Sequence, residues 1–278
     1  MNFRGKLQFV ARTDVGQVRD HNEDFITENE SLGFAVLADG MGGLSAGEVA
    51  SSMTVHLLVD ELTEYRKGSS LIAAELNDSA SDLPIEAQIL RKAVEKANDA
   101  VFHVSQTQAQ CQGMGTTVVA AYYYYNNKVS VAHIGDSRMY RFRAGVLEQV
   151  TKDHSYVQEL IDKGLFTKEE ARVSDKKNVV TRALGVAPFV EVEVHEYDVE
   201  AGDVYLMCSD GLHDLVVDKD IENSMIELGS NLNELAAHLV NLANVSGGKD
   251  NISVVLTRVL KPYSKEGGLL GKIVNWFE

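Results

Sequence analysis

Hydrophobic and polar positions along the chain fall into two periods. Val190 to Tyr197 alternates strictly, valines against acids and His195, as a half-exposed strand does. Leu7 to Asp14 alternates loosely, as an edge strand would. Val204 to Cys208 is apolar throughout and reads as a buried strand, and Ile252 to Leu256 is a last strand. Val118 to Tyr125 and Lys128 to Ile134 are β-branched and aromatic runs split by Asn126-Asn127, a hairpin signal. The tyrosines at 122 to 125 fit two faces of a strand better than a binding surface. Met139 to Arg143 and Leu147 to Val150 continue the hairpins. Helical spacing marks Ala46 to Tyr65, then a second helix from Ile85 to Val104 that should pack on the first. Two more helices are expected at roughly 218–228 and 231–244. The 67–84 connection is left open. Residues 151–185 show short helical pieces at Tyr156-Val157, Leu160-Ile161 and Leu165-Phe166, an excursion lying over the sheet.

Several strands end in the same way. Val36-Leu37-Ala38 stops at Asp39, followed by Gly40-Met41-Gly42-Gly43; Ile134 runs into Gly135-Asp136; Cys208 runs into Ser209-Asp210-Gly211. Asp250 stands just before the last strand, after Gly247-Gly248-Lys249. A strand that ends in a carboxylate and glycines holds the acid at a cleft and lets the backbone turn sharply. Upstream, Gly16 to Asp24 is a polar loop containing Arg19, Asp20, Glu23 and Asp24, and a hairpin would bring Glu23 to Asp39. If the strands share a sandwich, Asp39, Asp136, Asp210 and Asp250 converge. Clustered carboxylates repel unless cations neutralise them, and oxygen-only ligands select hard ions such as Mg²⁺ or Mn²⁺. Two such ions, about 3.5 to 4 Å apart, can bridge a water, lower its pKa and drive in-line attack on a phosphoryl group. Phosphate-ester hydrolysis is the chemistry this pattern suits.

Composition narrows the alternatives. At 278 residues and 45% hydrophobic content the chain can bury a large core, and three prolines without a low-complexity run favour one domain. With 26 basic against 41 acidic residues the formal charge is -15, which argues against nucleic acid as a partner. Cys111 and Cys208 fit no metal or disulfide spacing and suit a reducing compartment. The first residues lack the apolar core of a signal peptide, and no run is long enough for a membrane helix, so a cytoplasmic location is expected.

Seven ordered motifs carry a resemblance: Arg19-x-x-Asn22-Glu23-Asp24, Ala38-Asp39-Gly40-Met41-Gly42-Gly43, Gly113-Met114-Gly115-Thr116-Thr117, Gly135-Asp136-Ser137-Arg138, Thr181-Arg182-Ala183-Leu184-Gly185, Ser209-Asp210-Gly211 and Lys249-Asp250-Asn251. On these the chain resembles the metal-dependent protein Ser/Thr phosphatases of PPM or PP2C type, in their compact bacterial form. The resemblance implies an α+β fold, a four-layer α-β-β-α sandwich of two antiparallel sheets flanked by helices. It also implies a domain over 1–259, with a flap at about 151–185, and a tail at 260–278. Asp39 would bridge two Mn²⁺ or Mg²⁺ ions, with the Gly40 carbonyl also a ligand; Asp210 and Asp250 would complete the first, and Glu23 would serve the second. Asp136 would join Asp210 at a third, weaker position. Arg19 would bind the substrate phosphate, the alternative being a salt bridge to Asp20 or Glu23. Phosphoserine and phosphothreonine proteins would be the substrates and a Ser/Thr kinase the opposing partner.

Two departures from the family pattern stand out. Leu44 occupies the place of a His that relatives commonly carry after Gly-Met-Gly-Gly, a candidate general acid; His56 reads as a helix residue, not a substitute. In the flap, Ser174-Asp175 replaces His-Pro, followed by Lys176-Lys177-Asn178. A catalytically silent binding module on this fold is the alternative that Leu44 raises, and hydrolysis of a small phosphorylated metabolite is another. The tail, with the only Trp at 276, reads as a final helix or frayed end, as a docking peptide over 265–278, or as a weak membrane-surface segment. A general acid contributes about 10²- to 10⁴-fold. Leu44→His is therefore expected to leave phosphatase turnover intact or raise it; a loss of activity in steady-state assays would contradict that reading.

Overall fold

The computed structural model describes residues 2–43, 46–76 and 82–263. Leu44 and the 265–278 segment lie outside the described residues. Among those described, no helix is long and apolar enough to cross a membrane.

Two antiparallel sheets stack face to face. The first contains β1 (Leu7–Asp14), β7 (Arg138–Arg143), β8 (Val146–Gln149), β10 (Val204–Cys208) and β11 (Ile252–Val259), ordered β1-β11-β10-β7-β8. The second contains β2 (Asp24–Asn29), β3 (Phe34–Met41), β5 (Val118–Tyr124), β6 (Lys128–Ile134) and β9 (Glu193–Asp198), in that order, with the short β4 (Gly115–Thr116) paired to the end of β3. Helices α1 (Ala46–Lys67) and α3 (Ile85–Thr107) cover the second sheet, while α7 (Asp218–Leu228) and α8 (Leu232–Val245) cover the first. This is the expected four-layer sandwich.

Strand alternation explains why some strands are apolar on every residue. In β3, Phe34, Val36 and Ala38 face the α1–α3 layer, whereas Ala35 and Leu37 enter the core between the sheets. β5 does the same, with Tyr122 and Tyr124 toward the helices and Tyr123 between the sheets. Both faces are dry, so both need apolar side chains. The tyrosines are strand residues, as the sequence suggested. Asn126 and Asn127 take φ of 65° and 57°, a left-handed pair within the three-residue turn between the paired Tyr124 and Lys128.

Two elements differ from the sequence reading, and the connection it left open has structure of its own. The 67–84 connection contains a short helix, α2 (Leu71–Leu76). β9 begins at Glu193, not at residue 190, because its ladder with β6 ends at the Glu193–His133 pair. Leu165-Phe166 is not helical: α4 (Tyr156–Asp162) closes at Gly164, with φ 68°, and the Leu165 amide turns back to the Leu160 carbonyl. Thr167 and Glu170 then form a capping box that starts α5 (Lys168–Arg172). A final short helix, α6 (Asp210–His213), follows β10 directly.

Arg66, at the end of α1, ties the helical layer to the second sheet. It donates to the Tyr123 carbonyl at 2.6 Å and the Leu32 carbonyl at 3.2 Å, and its guanidinium lies over the Tyr122 and Phe3 rings at 4.5 and 5.1 Å. Arg66→Met keeps much of the packing but removes both donors and the ring contacts. It is expected to lower the unfolding free energy by about 2 kcal/mol in urea titrations; a change under about 0.5 kcal/mol would contradict the anchor.

Candidate active site

Strand register brings the acids to one end of the sandwich. β10 runs antiparallel to β11 and β7, pairing Cys208 with Val254 and Arg138, so Asp210, Asp250 and Asp136 leave the first sheet at the same edge. β1 ends beside the start of β11, with Asp14 opposite Ile252, which puts the 15–23 loop at that edge too. In the second sheet Asp24 pairs with Asp39, and Glu23, just before it, accepts the Gly40 N–H on its carbonyl at 3.1 Å. Asp39 shares the parity of Ala35 and Leu37 and so faces the gap between the sheets. All six residues expected at the centre, Glu23, Asp39, Gly40, Asp136, Asp210 and Asp250, stand at this end.

The peptide of Asp39 is held from the Gly113–Thr117 motif. Thr117 donates its N–H to the Asp39 carbonyl at 2.8 Å, the Thr116 hydroxyl donates to the same oxygen at 2.8 Å, and the Asp39 N–H donates to Thr117 Oγ1 at 3.1 Å. Thr117 Oγ1 also meets Ser137 Oγ at 2.8 Å, linking Asp39 to the Asp136 turn. Two buried histidines hold that turn. His154 takes the Gly135 N–H on Nδ1 at 3.1 Å and gives its own N–H to the Gly135 carbonyl at 2.9 Å; His213 Nε2 donates to the Asp136 carbonyl at 3.1 Å.

On the other side Asn251 organises the acidic loop. Its Oδ1 accepts the Glu23 N–H at 2.8 Å, and its Nδ2 donates to the Val15 and His21 carbonyls at 3.0 and 2.9 Å. Gly40 and Gly47 let β3 and α1 meet: a Cβ on Gly40 would lie 2.1 Å from the Gly47 carbonyl, and one on Gly47 would lie 2.5 Å from Glu23 Oε1. Arg19 pairs with neither of the neighbours weighed for it. It donates to Asp250 Oδ2 at 2.7 Å instead, with its side chain half exposed.

Sequence reading missed Asp24, Asn251, His154 and His213 as parts of the site. Asp24 and Asn251 stand inside the quoted motifs, next to acids that drew the attention. His213 lies one helical turn after Asp210, and His154 sits at the base of the flap.

The electrostatics are those of carboxylates crowded into a partly buried cleft, with Asp24 and Asp136 the most enclosed. Burial, reinforced by Asp24 and then Asp210, holds the Asp39 carboxyl well above the usual range, and burial with Asp136 and Asp250 does the same to Asp210. Asp24 is pushed up to about 6 by burial, although Ser209 Oγ donates to it at 2.8 Å. Asp136 is pushed up to about 7 by burial and Asp153. Glu23 is raised by burial as well, and its Oε1, like Asp24 Oδ1, is buried without a hydrogen-bond partner. Orphaned oxygens and repelling carboxylates fit hard divalent cations, which accept oxygen ligands and reverse the repulsion.

His133, His154 and Glu193 form the one trio among the described residues whose candidate ligand atoms all lie within 4.8 Å of one another. Hydrogen bonding argues against a metal there. The Gly135 N–H on His154 Nδ1 leaves the proton on Nε2, which donates to Glu193 Oε2 at 3.2 Å. His133 Nε2 donates to the Lys152 carbonyl at 2.8 Å, and the two rings stack at 4.9 Å. The trio is a strut between flap base and β9.

Raised carboxyls give a signed expectation. Each contributes stability that is complete below the unfolded carboxylate range and lost as pH rises through its folded value. Metal must displace those protons, so stabilisation by saturating Mg²⁺ is expected to grow as pH rises through about 6 to about 7, the Asp24 and Asp136 values. The difference in Tm with and without Mg²⁺, followed across pH 5 to 8, checks this; a difference that shrank with rising pH would contradict it.

The sequence profile of the protein phosphatase 2C family matches residues 14–253. The chain is similar to the serine/threonine phosphatase stp of Listeria monocytogenes, 39% identical over 248 residues, covering 88% of this chain and 93% of that protein. It is 37% identical over 254 residues to the serine/threonine protein phosphatase PstP of Mycobacterium tuberculosis, covering 91% of this chain but 45% of PstP. Among solved structures, Mycobacterium tuberculosis PstP matches with a TM-score of 0.77 at 37% identity, over 91% of this chain and 99% of that one. The PstP catalytic domain in complex with two manganese ions matches with 0.77 at 36% identity, over 92% and 99%. Profile, relatives and fold agree that the chain belongs to the protein phosphatase 2C family of metal-dependent serine/threonine phosphatases.

Proposed function

We propose that the centre dephosphorylates phosphoserine and phosphothreonine in proteins and that its carboxylates hold two Mn²⁺ or Mg²⁺ ions. In this reading Asp39 would serve both ions, with the Gly40 carbonyl a further ligand, Asp210 and Asp250 would complete one, and Glu23 would serve the other. Asp136 joins Asp210 at a third, weaker position. The observation that carries it is the convergence of these acids at one end of the sandwich, with Glu23 Oε1 buried and unpartnered. Divalent ions there lower the pKa of water and offset the charge of a phosphoryl group. The PstP domain described with two manganese ions supports the ion count. The domain is proposed to run through β11 with the 151–185 flap as part of it, and the opposing partner is a Ser/Thr kinase.

The chain's own groups position the reaction. Thr116 and Thr117 hold the Asp39 peptide, so its carboxylate does not follow substrate motion. Arg19 keeps a bidentate-capable guanidinium at the rim; its bond to Asp250 uses one amino group and leaves the rest for a phosphate. A covalent cysteine route has no candidate, because Cys111 and Cys208 are buried and burial raises the Cys208 thiol further. A silent module would be expected to lose acids from the centre, and this chain retains every one.

Asp39→Ala and Asp210→Ala are expected to reduce phosphothreonine-peptide hydrolysis to background while the proteins remain folded by circular dichroism. Full activity in Asp39→Ala would overturn the site. Arg19→Ala is expected to raise KM about tenfold with a smaller change in kcat; an unchanged KM would return Arg19 to a plain salt-bridge role.

A further inference from the structure

Beneath the flap, between α5 and the α6–α7 connection, lies a cavity of about 670 Å³ that reaches Asp136 and Asp210. A smaller one of about 430 Å³ adjoins it and reaches Asp250. Arg172 and Lys177, both from the flap, line the two cavities together. Part of the larger wall is aliphatic, from Val157, Ile161 and Val217. The space is therefore an annex of the proposed centre with an apolar side and a charged mouth.

Its cations differ in what they are bound to. Lys177 is paired with Asp214, and Arg138 with Asp153 at 2.7 Å. Among the described residues, Lys168 and Arg172 on α5 and Lys249 on the opposite loop make no ion pair. Arg172 stands three residues after Glu169, a spacing that allows a helical ion pair, and forms none. The two cavity linings carry acids and cations in equal number. With Lys177 and Arg138 paired to Asp214 and Asp153, Arg172, Lys168 and Lys249 are left as cations without an ion-pair partner among the described residues, in a chain of formal charge -15.

We propose that this annex is a peptide subsite, in which Arg172, flanked by Lys168 and Lys249, selects an acidic side chain near the phosphorylated residue of the substrate. The inference rests on the phosphatase reading and adds a substrate class to it: phosphopeptides with acidic flanks. The aliphatic wall takes the peptide chain alongside, and the guanidinium offers its fork to a carboxylate at the mouth. Lys177, held by Asp214, fixes the flap edge that carries Arg172.

The test compares phosphothreonine peptides that differ only in one flanking residue, Asp or Lys, scanned over the positions on either side, with p-nitrophenyl phosphate as a substrate lacking flanks. The wild type is expected to favour Asp over Lys at one or more positions by roughly 3- to 5-fold in kcat/KM, the size of a solvent-accessible charge pair, and to lose the preference in high salt. Arg172→Lys should keep the preference and Arg172→Glu should invert it. Turnover of p-nitrophenyl phosphate and all peptides without a flank preference would overturn the subsite and leave the phosphatase reading standing. A preference unchanged in Arg172→Glu would remove Arg172 as its source. No turnover of any substrate with Mn²⁺ present would overturn the phosphatase reading and the subsite with it.

Discussion

Carboxylates gathered at one half-buried cleft repel one another, and the fold keeps them together regardless. Asp39, Asp210 and Asp136 are held above their ordinary ionisation by burial first and then by neighbouring carboxylates, chiefly Asp24, Asp136 and Asp153 respectively. Such an arrangement persists only if the surrounding fold over-determines it. Two sheets with dry faces on both sides supply that determination. Their register fixes which strand ends meet, and the threonines, histidines and Asn251 around the rim fix the peptides between. The repelling carboxylates and the proposed metal ligands are the same set of residues.

That constraint explains the division of labour in the chain. The acids stand at or just beyond the ends of the core strands, and the strand interiors are largely apolar. The polar groups that position the acids come from short connections: Gly113–Thr117 for Asp39, the 209–213 turn for Asp210 and Asp136, and Lys249–Asn251 for the loop bearing Glu23. The flap is attached to this same framework, since His154 grips Gly135 and the Leu184 amide pairs with the Thr116 carbonyl at 2.9 Å. The 151–185 segment is thereby fastened to the Asp39 and Asp136 supports, and its Arg172 and Lys177 line the cavities that reach Asp210.

Much of this was legible in the sequence because it rests on period and on strand termini. The apolar runs of β3 and β10, each ending in Asp and Gly, announced both the sheets and the acids. Asn126-Asn127 announced its hairpin. What stayed hidden depended on contacts between distant segments. The partner of Arg19 is Asp250, 231 positions away, and no local pattern points to it. His213 and His154 are fastened to the Gly135–Asp136 turn by backbone atoms, which sequence spacing does not reveal. The end of α4 and the start of α5 were legible, from Gly164 and the Thr167–Glu170 capping box, but the apolar pair Leu165-Phe166 drew the helix across the turn.

The most direct measurement is hydrolysis of a phosphothreonine peptide by the purified protein, first in EDTA and then with Mn²⁺ added back. A metal-dependent phosphatase centre predicts no release of phosphate in EDTA and restored turnover with Mn²⁺. Equal turnover in EDTA, or none with Mn²⁺ bound to the folded protein, would contradict it.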